Sequence, residues 1–253
     1  MSRVMQFRGF AFALLALLAG ERAFPADGAI AARPQSEPSY IVLGFVGGFV
    51  SHDAFDHRPV QLAQRIGQSA PKNAVVRVFE NRRRKAAYST IVRLLDRDHD
   101  GILSDAEKSQ ARIILFGHSW GAAAAVLLAR DLNRAGIPVL LTIQVDSVAK
   151  FWQNDSIIPA NVAAAANFYQ PHGFVRGRSE ITAADPSRTQ ILGNFRFDYK
   201  TQRVRCEGVS WYDRFFTPGH AQSECDPKLW GQVEALIRRQ FEPQAGFVAS
   251  AGP

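Results

Sequence analysis

The sequence predicts an α/β fold, a mostly parallel sheet with helices on both faces. Short, largely apolar runs at Tyr40–Phe45, Ala74–Phe79, Arg112–Phe116, Val139–Val145 and Ala163–Tyr169 read as strands buried on both sides. Segments of helical period separate most of them, and that alternation is the signature of parallel strands joined by crossover helices. Glycine-rich turns follow two of the strands, Val46-Gly47-Gly48 and Gly117 to Gly121, where a chain leaving a sheet must bend sharply. At 253 residues with 47% hydrophobic and 21% charged content, the chain can bury one sizeable core, and disordered or fibrous classes are excluded.

Each element has its own warrant. Helical spacing over Arg58–Gln68 follows the first strand, and Arg84–Leu95 follows the second. Arg112–Phe116 runs through five residues into the alanine-rich helix Ala122–Asn133. Val139–Val145 and Ala163–Tyr169 are the next strands, and Thr189–Asn194 adds a further one. At the end, Asp226 caps a helix with Pro227 in its first turn and Leu229, Trp230, Val233, Leu236, Ile237 and Phe241 on one face. The domain spans residues 39–243, preceded by a Pro/Ser-rich lead at 27–38 and followed by a loose tail at 244–253. No internal repeat is present.

Residues 1–26 have the layout of a secretory signal peptide. Arg3 and Arg8 precede the apolar run Gly9–Leu18, small residues follow, and cleavage falls between about residues 20 and 34. The apolar run is shorter than the roughly 20 residues a spanning helix needs, so no stable membrane span is expected after processing. Export places the chain in a secreted or periplasmic, oxidising setting, where Cys206 and Cys225 are expected to form a disulfide. The formal charge of +7 favours anionic surroundings without naming a partner. The densest basic run, Arg82 to Lys85, has no interleaved stacking aromatics, which argues against nucleic acid and for a solvated face. The oligomeric state is not encoded legibly.

The chemistry begins at Gly117-His118-Ser119-Trp120-Gly121, which fits G-x-S-x-G with a strand before it and a helix after it. So tight a turn has no room for a β-carbon at either glycine, and it lifts the Ser119 hydroxyl to the carboxyl edge of the sheet. A serine hydroxyl is a poor nucleophile, so it needs a histidine to take its proton and an acid to orient that histidine. Asp146 ends the strand expected beside that of the serine, which places a carboxylate at the same edge; Asp155 and Asp185 are the alternatives. His220 stands in a loop shortly before the last helix, with His172 as its alternative. The Cys206–Cys225 bridge would enclose His220 and hold its loop in register.

In these residues and their layout, the chain resembles the α/β-hydrolase superfamily, and within it the lipase and esterase-like secreted serine hydrolases. The resemblance covers roughly Tyr40 to Phe241 and implies Ser119 as nucleophile, with acid and base following in chain order. It also implies an oxyanion hole made by the backbone N–H of Trp120 and one from the "VLGFVGG" turn. There Phe45 is the expected donor, Val46 its neighbour, and Leu43 stands where the family has histidine. The activity implied is cleavage of a small-molecule or lipid carboxylic ester through an acyl-enzyme. An amide or thioester hydrolase would share these parts, and a noncatalytic binding protein on the same scaffold would lack one of them.

A second motif precedes the serine's strand. In "DRDHDGILSDAE", Asp96, Asp98 and Asp100 fall at positions 1, 3 and 5 of an EF-hand-like loop, Gly101 at 6, Ile102 at 7, Ser104 at 9 and Glu107 at 12. The resemblance implies one structural Ca²⁺, bound by oxygen atoms of Asp96, Asp98, Asp100, Ile102, Ser104 and Glu107.

Overall fold

The computed structural model describes residues 40–206 and 217–242. The leader, the lead and the tail lie outside the described residues. The α/β class expected from the sequence is the one observed.

Among the described residues eight strands form: β1 (Ile41–Val46), β2 (Val75–Glu80), β3 (Ile113–His118), β4 (Val139–Val145), β5 (Ile157–Ile158), β6 (Val162–Tyr169), β7 (Thr182–Ala183) and β8 (Gln190–Arg196). Six of them make one sheet in the order β2-β1-β3-β4-β6-β8. Every pairing in it is parallel. All six strands therefore point their carboxyl ends to one edge, the edge at which ligands bind open α/β sheets. A two-residue parallel pair, β5 with β7, lies apart.

Among the described residues, six α-helices accompany the strands: α1 (Arg58–Ser69), α2 (Arg84–Leu95), α3 (Asp105–Ser109), α4 (Trp120–Arg134), α5 (Pro218–Cys225) and α6 (Pro227–Arg239). Period-2 alternation sorts the strand side chains onto two faces. Ile41, Leu43, Phe45, Ile113 and Leu115 face α2 and α4, packing with Ala87, Ile91, Leu128 and Leu132. Val42, Ile114, Phe116, Leu141 and Ile143 face α1 and α6, packing with Leu62, Ile66, Leu229, Trp230 and Val233. Burial of each large side chain here contributes about 1.5–3 kcal/mol, so both faces are held by the same force. Asp226 caps α6 as expected, its carboxylate accepting from the Lys228 N–H at 2.8 Å.

Two expectations need correction. The stretch before the last helix, read as a loop, contains α5, so His220 sits on a helix begun by Pro218 at its first position. Val46, read as the first residue of the glycine-rich turn, is the last residue of β1 and pairs with Glu80, while Phe45 lies inside the strand as expected, aligned with Phe79 on one side and Gly117 on the other. A strand with neighbours on both sides commits its backbone groups to the ladders, so the free turn begins only at Gly47.

Candidate functional site

Ser119 links β3 to α4 at the carboxyl edge. Its backbone has φ 56 and ψ −126, a left-handed conformation that non-glycine residues rarely adopt. The flanking glycines show why the turn survives. A Cβ on Gly117 would lie 2.5 Å from the Gly121 carbonyl carbon, and one on Gly121 would lie 2.3 Å from the Phe45 carbonyl oxygen. The Ser119 N–H donates to the Val145 carbonyl at 3.0 Å, and its own carbonyl accepts from the Val148 N–H at 3.2 Å, tying the turn to β4. Trp120 is the first residue of α4, so its N–H has no acceptor within the helix. From β1, the residue that reaches the serine is Gly47: a Cβ there would stand 2.9 Å from Ser119 Cβ.

Asp146 follows β4 directly and is fully buried with φ 42. Its carboxylate accepts from His220 Nδ1 at 2.6 Å, the Gly177 N–H at 2.7 Å, Gln170 Nε2 at 3.1 Å and the Gln170 N–H at 3.3 Å. Burial pushes this carboxyl up, but the His220 hydrogen bond, the charges of His220 and His118, and the bond from Gln170 outweigh it and hold the group below its usual range. A nitrogen that faces a carboxylate carries a hydrogen, so His220 donates from Nδ1 and its Nε2 is the nitrogen available for proton transfer. Among the described residues, no hydrogen bond joins Ser119 Oγ to His220. The ring of His118, next to the serine in sequence, stacks on His220 with centroids 4.6 Å apart.

The alternatives are engaged elsewhere. Asp155 is buried against Ser147 and Arg178, Asp185 accepts from Ser187, and His172 Nε2 pairs with Asp198 at 3.0 Å. Cys206 and Cys225 are joined, with Cα atoms 5.4 Å apart, and the bridge ties the last residue of α5 to the chain ahead of it. Sequence reasoning missed Gln170 and Gly177, which orient Asp146, and Glu224, which pairs with His118 Nδ1 at 2.9 Å. The only trace of Gln170 in sequence is a polar residue at the end of an apolar strand.

Around the same edge stand bare aromatic side chains: Phe49 after β1 (87% exposed), Phe151 and Trp152 after β4 (102% and 79%), and Phe174 after β6 (100%). Phe49 packs edge-on against Trp120 at 5.6 Å, and Lys150 Nζ lies 5.2 Å over the Trp120 ring.

The acidic loop joins α2 to the five-residue α3. Gly101 has φ +82 and makes the bend, and its N–H donates to Asp96 Oδ2 at 3.1 Å. Oxygen atoms of Asp96, Asp98 and Glu107 lie within 4.8 Å of one another, and Asp96 Oδ1 is buried without a hydrogen-bond partner. Those groups fit a hard cation. Ser104 and Glu107 are also bound to each other in a capping box at the start of α3. Hydrogen bonds from the Arg97 N–H, the Ser104 hydroxyl and the Ser104 N–H hold the Glu107 carboxyl down at about 2.

No family model and no curated protein matches the chain. Solved structures with some likeness include the RedJ thioesterase of the prodiginine pathway of Streptomyces coelicolor, at 13% identity and a TM-score of 0.42, over 80% of this chain and 91% of that one. A cutinase-like protein from Cryptococcus sp. has 13% identity and a TM-score of 0.40, over 84% and 99%. An acetyl xylan esterase has 10% identity and a TM-score of 0.38, over 82% and 100%.

Proposed function

We propose that the chain is an exported serine hydrolase that cleaves carboxylic esters through an acyl-enzyme, with Ser119 as nucleophile, His220 as base and Asp146 as orienting acid. The observation that carries this reading is the 2.6 Å pairing of His220 with buried Asp146 at the edge where a strained turn presents Ser119. Residues 74 apart in sequence meet there to form the acid–base half of a triad.

In the first step Ser119 Oγ attacks the ester carbonyl carbon and its proton passes to His220 Nε2. The tetrahedral oxyanion is met by the N–H of Trp120, which has no acceptor within α4, and by a backbone N–H where β1 runs into the turn beside Ser119, at Phe45, its neighbour Val46 or Gly47. The C–O bond to the leaving group breaks, and that oxygen takes the proton from Nε2. Water then repeats the sequence on the acyl-serine and frees the acid. The Ser119–His220 hydrogen bond closes when substrate fills the site, as catalytic contacts commonly do. The bare aromatic rim favours an ester with an apolar acyl or alcohol part.

The cysteine pair supports a secreted or periplasmic setting. The converging Asp96, Asp98 and Glu107 oxygens support one structural Ca²⁺, with Asp100, Ile102 and Ser104 completing its loop. Bound there, the ion would neutralise clustered carboxylates and fasten the segment that feeds β3. Excess chelator should then lower the melting temperature, and added Ca²⁺ should restore it; a melting temperature indifferent to both removes the ion from the account. For the hydrolase, a chromogenic ester series with the purified mature chain should show turnover that Ser119→Ala abolishes. A folded chain without turnover on any ester, amide or thioester would leave the binding-protein reading.

A further inference from the structure

His118 occupies the variable position before the nucleophile, yet it is 97% buried, since only 3% of its surface is exposed. Its Nδ1 lies 2.9 Å from Glu224 Oε2 and its Nε2 lies 3.2 Å from Ser223 Oγ. The Ser223 hydroxyl lies 2.7 Å from the His220 carbonyl oxygen. A carbonyl only accepts, so the single hydroxyl hydrogen of Ser223 points there, and toward His118 the same oxygen can only accept. A carboxylate likewise only accepts. Both ring nitrogens of His118 therefore face acceptors, and both carry hydrogen.

Resting on the reading of Ser119 and His220 as nucleophile and base, we infer that His118 is a positioning residue: an imidazolium locked by Glu224 and Ser223 whose charge, stacked on the His220 ring, keeps that ring neutral and able to accept the serine proton. Two like charges 4.6 Å apart repel, so a second positive charge on His220 forms less readily. Asp146 pulls the other way on the far nitrogen. The balance of the two sets the acid edge of the activity.

The surroundings are consistent with a fixed cation. Burial raises the Glu224 carboxyl, but the His118 charge and the hydrogen bonds from His118 and His57 bring it well below the usual carboxylate range, so it remains an anion. Its second oxygen pairs with His57 Nδ1 at 2.7 Å. Among the described residues, the charged and titratable groups that act on the stack and its partners are His220 and Glu224 from α5, His57 at the N-cap of α1 and Asp146 after β4, with Arg58 donating to the Cys225 carbonyl at the end of α5. Beyond α5, Tyr199 donates to Asp226.

The test combines two readouts on the mature chain. Long-range ¹H–¹⁵N NMR reports the protonation of each histidine ring, with the His118 signals assigned by their loss in His118→Gln. The second readout is the rate at which a fluorophosphonate probe labels Ser119 across pH 4 to 9. The expected result is a His118 ring protonated on both nitrogens at pH 8, and an acid limb of the labelling profile that moves up by about one pH unit in His118→Gln, with little fall in the plateau. Should His118→Gln not fold, Glu224→Gln removes the counter-charge instead, and the second His118 proton should then be lost below pH 8 with the same upward move of the limb. A neutral His118 tautomer in the wild type at pH 8 overturns the inference. So does a plateau that falls while the limb stays in place, which is what a purely structural role would give. Absence of labelling in the wild type at every pH overturns the hydrolase reading itself, and the NMR spectra, readable without turnover, tell that failure from the other two.

Discussion

Replacing Asp146 by Asn puts an amide nitrogen where a carboxylate accepts four hydrogen bonds. Oδ1 accepts from two backbone N–H groups, of Gly177 and Gln170, and Oδ2 accepts from the side chains of Gln170 and His220. Backbone N–H groups cannot become acceptors, so the new amide nitrogen is forced to the Oδ2 side. There it meets Gln170 Nε2, which cannot turn over cheaply because Gln170 Oε1 accepts from the His172 N–H at 2.9 Å. It also meets His220 Nδ1, which can accept only by moving its hydrogen to Nε2, the nitrogen that must receive the serine proton. The imidazole is thus trapped in the wrong tautomer, and kcat should fall by roughly 10⁴, or about 5.4 kcal/mol of transition-state stabilisation. The static cost is smaller, about 1–3 kcal/mol for one ill-matched buried group. Initial rates on a chromogenic ester, with the melting temperature measured in parallel, separate the two. An Asp146→Asn protein that keeps more than a tenth of its kcat would refute the tautomer reasoning.

Three further outcomes follow from the same contacts. Gly121→Ala drives a Cβ to 2.3 Å from the Phe45 carbonyl with both backbones fixed in the core, so it should cost at least about 3 kcal/mol, visible in urea denaturation. The Glu107 carboxyl lies at about 2 in the fold against an ordinary 4.5, so its contribution to stability is complete above 4.5 and is lost as pH falls through about 2. In Glu107→Gln, stability should therefore change less with pH across that window, as acid titration of the fluorescence will show. Double replacement of Cys206 and Cys225 by Ser opens a loop with a sequence separation of 19, costing roughly 3 kcal/mol in the chain-entropy model, and should lower turnover more than helical content by circular dichroism.

What the sequence discloses here is local, and what it hides is assembled from distant parts. The step from β3 through Ser119 into α4 is visible because apolar strand, two glycines and alanine-rich helix are contiguous, and both glycines prove to be required by contact. The pairing of Asp146 with His220 was legible because one stands at the end of a strand and the other near the last helix, where chain order and the parallel sheet bring them to one edge. The helix around His220 was not legible, since Pro218-Gly219 carries a turn signal and eight residues show little periodicity. The end of β1 was not legible because strand ends are set by the ladder partners, and β1 continues through Val46 beside β2. Gln170, Gly177 and Glu224 act across 24, 31 and 106 residues, the last count being the separation of Glu224 from His118. No spacing rule connects such pairs, and β5 and β7, two residues each, are too short to show a period.

The proposed chemistry turns on the activation of Ser119 by His220. The direct test is to incubate the purified protein, with calcium present, with a fluorophosphonate probe and to map the adduct by peptide mass spectrometry. A single adduct on Ser119 should form in the wild type and disappear in His220→Ala. A folded wild-type chain that takes no label, or one that labels equally well without His220, would contradict it.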